Sequence, residues 1–189
     1  VSRGALAQKG YPRVSNDGER LVYADESPFF WLGDTCWAAP VHATEDQWKH
    51  YVAGRAALGY TVLQLAIAPG WALKQSTGVQ PFLSELPDIS RPNPAFFDEL
   101  DRKILVANEH GLVVLICGIM ETPYEFPPVD QIADFSRYIA ARYAAHAVVF
   151  SPSFDSAIRE PEMLASALAI RDITTASLLT MHMGTGVGP

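Results

Sequence analysis

The sequence predicts an α/β fold of TIM-barrel-like (β/α) repeats: about five parallel strands preceded by a β-hairpin, and so a partial or truncated barrel. Three observations predict it. Short apolar runs alternate with stretches in which apolar residues recur every three or four positions, the order that gives a parallel sheet with helices packed on it. The runs are apolar on nearly every residue, as strands covered on both faces must be. Neither a Gly-rich dinucleotide fingerprint after the first strand nor a phosphate-binding P-loop is present. A doubly wound sheet is the other solution for such an order. A complete barrel needs eight strands and about 250 residues, whereas this chain has 189. One domain is expected over 1–189, incomplete at its C-terminal end.

Residues 1–19 read as a loose lead-in that closes on the tight turn Asn16-Asp17-Gly18. Leu21 to Ala24 forms a short strand, Asp25-Glu26-Ser27-Pro28 turns it back, and the buried run Phe29 to Leu32 follows. That pair is a hairpin feeding strand one, which ends at Gly33-Asp34-Thr35. Thr44, with Glu45 and Asp46 behind it, caps the first helix. Trp48, Tyr51, Val52 and Ala56 form its inner face, and Gly59 ends it. Thr61 to Ile67 is strand two, aliphatic apart from Gln64. The connection from Pro69 to Pro92, which carries Trp71, is longer than packed folds usually allow, and such loops tend to be functional.

Asn93-Pro94 opens the second helix, with Phe96, Phe97, Leu100 and Ile104 inward and Gly111 at its end. Leu112 to Gly118 is strand three, and the loop Met120 to Pro128 after it holds Glu121, Tyr124 and Glu125. The third helix runs from about Val129 to Ala145 with Ile132, Phe135, Ile139 and Tyr143 inward. Strand four, Val148-Val149-Phe150, closes on Ser151-Pro152-Ser153-Phe154 and delivers Asp155. A fourth helix near Glu162 to Asp172 leads to strand five, Leu178 to His182. No internal repeat or low-complexity segment appears.

Hydrophobic residues make up 49% of the chain and charged residues 19%, a globular composition. The net charge of -7 argues against nucleic acid or an anionic membrane as partner, since both are held by basic patches. It suits a neutral substrate such as a sugar. Cys36 and Cys117 lie in apolar runs without metal-ligand spacing and read as buried free thiols. They lean weakly toward a reducing compartment. No run is long and apolar enough to span a bilayer, and no signal peptide is visible. The location is open, the cytoplasm being favoured if no leader preceded Val1. No cofactor is expected, no His or Cys cluster has zinc spacing, and no Ser-His-Asp set is apparent.

Four stretches carry a resemblance to a known family. They are Pro28-Phe29-Phe30-Trp31-Leu32-Gly33-Asp34-Thr35-Cys36-Trp37; Gly78-Val79-Gln80-Pro81-Phe82 with Pro92-Asn93-Pro94-Ala95-Phe96-Phe97-Asp98-Glu99-Leu100-Asp101; Arg142-Tyr143 leading to Asp155; and Leu179-Thr180-Met181-His182. In this order they cover nearly the whole chain. The sequence resembles the apiosidase-like (β/α)8-barrel glycoside hydrolases, a group close to cellulase-type barrels. The resemblance implies a general acid/base at the end of strand four, where Asp155 stands, and a second carboxylate on a late strand, past Pro189. Where the family tends to place two glycines before this Asp, this chain has Ser153-Phe154.

Glycoside hydrolysis uses one carboxyl to protonate the leaving oxygen and another as nucleophile or base. Asp155 is the candidate for the first, its pKa raised if apolar neighbours such as Phe154 desolvate it. Trp37 and Trp71 are candidates to stack on sugar C–H faces. Asp34, Gln64 and His182 are candidates to bind hydroxyls, and Glu121 is a candidate substrate-site or substitute second carboxylate. Each has a structural alternative: a helix cap or a pairing with a nearby Arg for Asp155, a cap or turn carboxylate for Asp34, core packing or loop anchoring for the Trp residues, a strand-to-strand bond for Gln64, a satisfied structural histidine for His182 and solvent exposure for Glu121. His42, His50, His110 and His146 receive no role. The expected function is hydrolysis of a polysaccharide or oligosaccharide. A non-catalytic carbohydrate-binding or scaffold domain is the alternative, as is a hydrolase of unrelated chemistry in an oligomer-completed barrel. Open sheet edges would favour self-association.

Overall fold

The computed structural model describes residues 5–67, 78–118, 127–152 and 160–182. The chain begins with α1 (Ala5–Lys9) and a two-stranded antiparallel ribbon, β1 (Arg13–Val14) and β2 (Leu21–Val22). Then come β3 (Gly33–Thr35), the single turn α2 (Ala39–His42), α3 (Glu45–Ala57), β4 (Val62–Ala66), α4 (Pro94–Glu109), β5 (Val113–Cys117), α5 (Val129–Tyr143), β6 (Val148–Ser151) and α6 (Glu160–Ile173). Strands β3, β4, β5 and β6 form one parallel sheet in sequence order, the arrangement of successive strands in a (β/α) barrel.

The helix boundaries follow from local chemistry. Thr44 and Gln47 form a capping box at α3: the Thr44 hydroxyl accepts from the Gln47 N–H and the Gln47 side chain accepts from the Thr44 N–H. Asn93 caps α4 by accepting from the Ala95 N–H, with Pro94 in the first helical position. Gly59 and Gly111, both in the left-handed region, turn the chain from helix into strand.

The helix-facing core contains Trp48, Phe96, Phe97, Leu100, Ile104, Ile132, Phe135, Ile139 and Tyr143, packed on Leu63, Leu65, Val114, Ile116, Val148 and Phe150. Each such buried side chain contributes about 1.5–3 kcal/mol relative to exposure. Arg142 ties α5 to α4 by donating from Nε and Nη2 to the two Asp101 oxygens, at 2.8 and 2.6 Å, and to Asp98 at 2.8 Å. Asn108 joins the lower ends of β5 and β6, donating to the Leu112 and Ala147 carbonyls and accepting from the Ala147 N–H.

Three expectations are corrected. The lead-in of residues 1–19 is not loose where described: it holds α1 and β1, and its Leu6 joins Tyr23 and Phe29 in a plug against Val62, Val113, Leu115 and Val149 on the other face of the sheet. The run Phe29 to Leu32 is not a uniformly buried strand. It alternates, with Phe29 buried and Phe30 74% exposed, because it lies beside Leu21 and Val22 before the parallel ladder begins at Gly33. The fifth strand is reduced to a single parallel bridge, Phe150 to Leu179, flanked by the bonds Phe150 N–H to Leu178 O and Thr180 N–H to Phe150 O. The described part of the long connection, 78–93, folds back on itself. Phe82 bridges Pro92, Phe82 and Ile89 are buried, and the Gln131 side chain accepts from the Ile89 N–H.

Gly10 ends α1 in the left-handed region, and a Cβ there would strike the Ala24 side chain; Gly18 shares the φ but faces open space. Gly10→Ala is therefore expected to destabilise the protein by about 2–4 kcal/mol, strain plus overpacking, and Gly18→Ala by about 1 kcal/mol. Denaturant unfolding of the two variants checks the order; equal losses would mean that the close approach to Ala24 contributes nothing.

Candidate functional site

Strand side chains alternate between two faces. Along β3 and just beyond it, Asp34 and Cys36 face the helices, and Gly33, Thr35 and Trp37 face the other way. On β4 the second set is Val62, Gln64 and Ala66; on β5 it is Val113, Leu115 and Cys117; on β6 it is Val149 and Ser151. This is the interior of the incipient barrel. Its lower part is filled by the plug, and its upper part, at the C-terminal ends of the strands, is where polar groups gather.

The β3 ladder runs on past its assigned end. The Cys36 N–H donates to the Gln64 carbonyl at 2.8 Å and the Ala66 N–H to the Trp37 carbonyl at 3.2 Å. Trp37 is thereby held at the rim, packed on Ala66 and Cys117. His182 meets it edge-on, ring centroids 5.0 Å apart at 71°. The Gln64 amide nitrogen lies 2.9 Å from His182 Nδ1 and 3.8 Å from the Cys117 sulfur. With that nitrogen facing the ring, Gln64 donates to Nδ1, and the proton of a neutral imidazole sits on Nε2. The Ser151 hydroxyl accepts from the His182 N–H at 3.0 Å. Trp37, Gln64 and His182, three of the residues singled out in the sequence, thus form one cluster although up to 145 positions separate them (182 - 37). An indole, an amide and an imidazole side by side can recognise a ligand that presents C–H faces and hydroxyls together.

Asp34 is not part of this cluster. It sits one residue out of phase and faces α3, where Tyr51 donates to its Oδ2 at 2.7 Å and Arg55 pairs with it. Burial would raise its pKa, but the hydrogen bonds from Arg55, Tyr51 and the Thr35 N–H together hold it below the ordinary Asp value. In the structure it bridges β3 and α3. Asp155, Trp71 and Glu121 lie outside the described residues. Ser151 and Cys117 joined the cluster without having been singled out; their signal was parity with Val149 and Leu115. Cys36 faces the helices, and burial pushes its thiol up to about 12. Among the described residues no three His, Cys, Asp or Glu side chains gather as metal ligands, and no helix is long and apolar enough to cross a membrane.

The family model for apiosidase-like catalytic domains matches residues 15–188. Among solved structures, one described as a glycoside hydrolase is similar at a TM-score of 0.79 and 22% identity, over 97% of this chain and 43% of that one. A glycoside hydrolase family 5 protein from Bacteroides vulgatus gives 0.77 and 23%, over 97% and 41%. An endocellulase from Pyrococcus horikoshii, solved with cellotetraose, gives 0.60 and 14%, over 92% and 58%. The chain spans less than half the length of the first two. No curated protein matches the sequence.

Because the folded pKa of Asp34 is depressed, its contribution to stability is present above the unfolded value of about 3.9 and is lost as the pH falls through the folded value. Asp34→Asn is expected to cost about 1–2 kcal/mol at neutral pH. The difference should fade as the pH falls below the unfolded value and through the folded one. Unfolding measured across pH checks this, and a penalty that persists undiminished in acid would show that charge is not what Asp34 contributes.

Proposed function

The chain belongs to the apiosidase-like catalytic-domain family, and from that premise we propose that it forms part of a glycoside hydrolase acting on a polysaccharide or oligosaccharide. The observation that carries the proposal is the meeting of Trp37, Gln64 and His182 at the C-terminal rim of the sheet, the end of (β/α) barrels at which active sites are built. Trp37 would pack against a sugar ring, and Gln64 and His182 would bind its hydroxyls. Asp155 follows β6 by four residues and takes the role of general acid/base. It protonates the glycosidic oxygen as the bond to the anomeric carbon breaks, and a second carboxylate of the complete barrel serves as nucleophile or base. This activity is proposed for the whole barrel.

A binding-only reading is favoured by one observation. The described rim cluster is an aromatic, an amide and an imidazole, a set suited to recognition, and it holds no pair of carboxylates. Release of reducing sugar from a panel of polysaccharides separates the two readings, since saturable binding without release would select the second.

In the hydrolase, Asp155→Asn should abolish release while leaving oligosaccharide binding in place. Full activity in that variant would remove Asp155 from the mechanism. Trp37→Ala should raise KM about three- to tenfold, the range expected from losing an aromatic contact of about 0.5–1.5 kcal/mol, with kcat less affected. An unchanged KM would take the indole out of the binding site.

A further inference from the structure

Lys103 is the most buried cationic side chain among the described residues, 6% exposed within α4, and no carboxylate pairs with it among those residues. Its charged neighbours oppose one another: Glu99 favours the ammonium and Arg102 disfavours it, and burial outweighs both, lowering its pKa. A buried ammonium is costly unless it is hydrogen-bonded. Here its partners are backbone carbonyls. Nζ donates to the Pro40 oxygen at 2.9 Å and lies 3.4 Å from the Ala39 oxygen. The main chain of Lys103 is fixed as well, because its carbonyl accepts from the Trp48 indole N–H at 2.8 Å.

Hydrogen-bond accounting explains why a side-chain donor is needed there. In the single turn α2, the Ala39 carbonyl accepts from the Ala43 N–H. The Pro40 carbonyl would by the same pattern accept from the Thr44 N–H. That N–H is committed to the Gln47 side chain in the capping box of α3. Pro40 is itself buried, so its oxygen needs another donor, and Lys103 supplies it. The turn so fastened begins two residues after Trp37.

We propose that Lys103 is a positioning residue for the rim site: through the Pro40 and Ala39 carbonyls it holds the turn that sets the Trp37 indole against His182. Its role in catalysis rests on the function proposed above; its effect on geometry does not. The experiment is therefore NMR of the His182 ring protons, which feel the ring current of Trp37, run beside steady-state kinetics. Trp37→Ala supplies the reference for a lost contact. Lys103→Met keeps the length of the side chain and removes its donors. It should move the His182 resonances toward their Trp37→Ala positions and raise KM about three- to tenfold with kcat nearly unchanged. Lys103→Arg should restore both in large part.

Unchanged His182 resonances in folded Lys103→Met overturn the proposal. If that variant does not fold, Lys103→Gln, polar but one atom too short to reach the Pro40 carbonyl, replaces it, and unchanged resonances there overturn the proposal equally. Absence of turnover in the unsubstituted protein would remove the hydrolase reading and leave the NMR comparison to decide the positioning role.

Discussion

The two-residue period of four parallel strands in shared register is the constraint on which the rest of this structure depends. Once Gly33 pairs with Val62, Val62 with Val113, and Val114 with Val148, every later side chain on those strands has its face assigned. The helix-facing set is apolar apart from Asp34 and packs under α3, α4 and α5. The inward set begins with the aromatic plug and ends in polar groups at the rim. A slip of one residue in any strand would exchange the two sets, placing Asp34 inside and Trp37 among the helices. The burial of both faces is what forbids it, since Val113 to Cys117 are buried without exception.

Much of this is legible in the sequence. The inner faces of α4 and α5 can be read from their spacing, because Phe96, Phe97, Leu100 and Ile104, and likewise Ile132, Phe135, Ile139 and Tyr143, have nowhere to go but the sheet. Thr44, Asn93, Gly59 and Gly111 announce helix ends because each solves a backbone problem locally. Gln64 stands out in the sequence as the one amide in an aliphatic run, and His182 as the residue that ends the fifth. What is not legible is which of two faces a polar residue takes when strand boundaries are off. Asp34 shows this. Starting strand one at Phe29 makes it look like the rim end of a strand, when it is the middle residue of β3.

The other illegible part is long-range accounting. The N-terminal segment reads as loose since its apolar residues are sparse, yet Leu6, Tyr23 and Phe29 close the lower end of the interior. Lys103 sits in a helix where a lysine would ordinarily mark a solvated face, and only the commitment of the Thr44 N–H elsewhere gives it an inward task. Such residues are determined by what a distant group lacks, and spacing carries no trace of that.

The alternation also separates the two thiols. Cys36 lies on the helix side, donating to the Gln64 carbonyl at 3.4 Å, and Cys117 lies on the interior side beneath the amide of the same glutamine. The sheet itself stands between them, so an oxidant has no native pair to join. In the folded chain the two thiols therefore stay apart, and a disulfide between them would require the sheet to open.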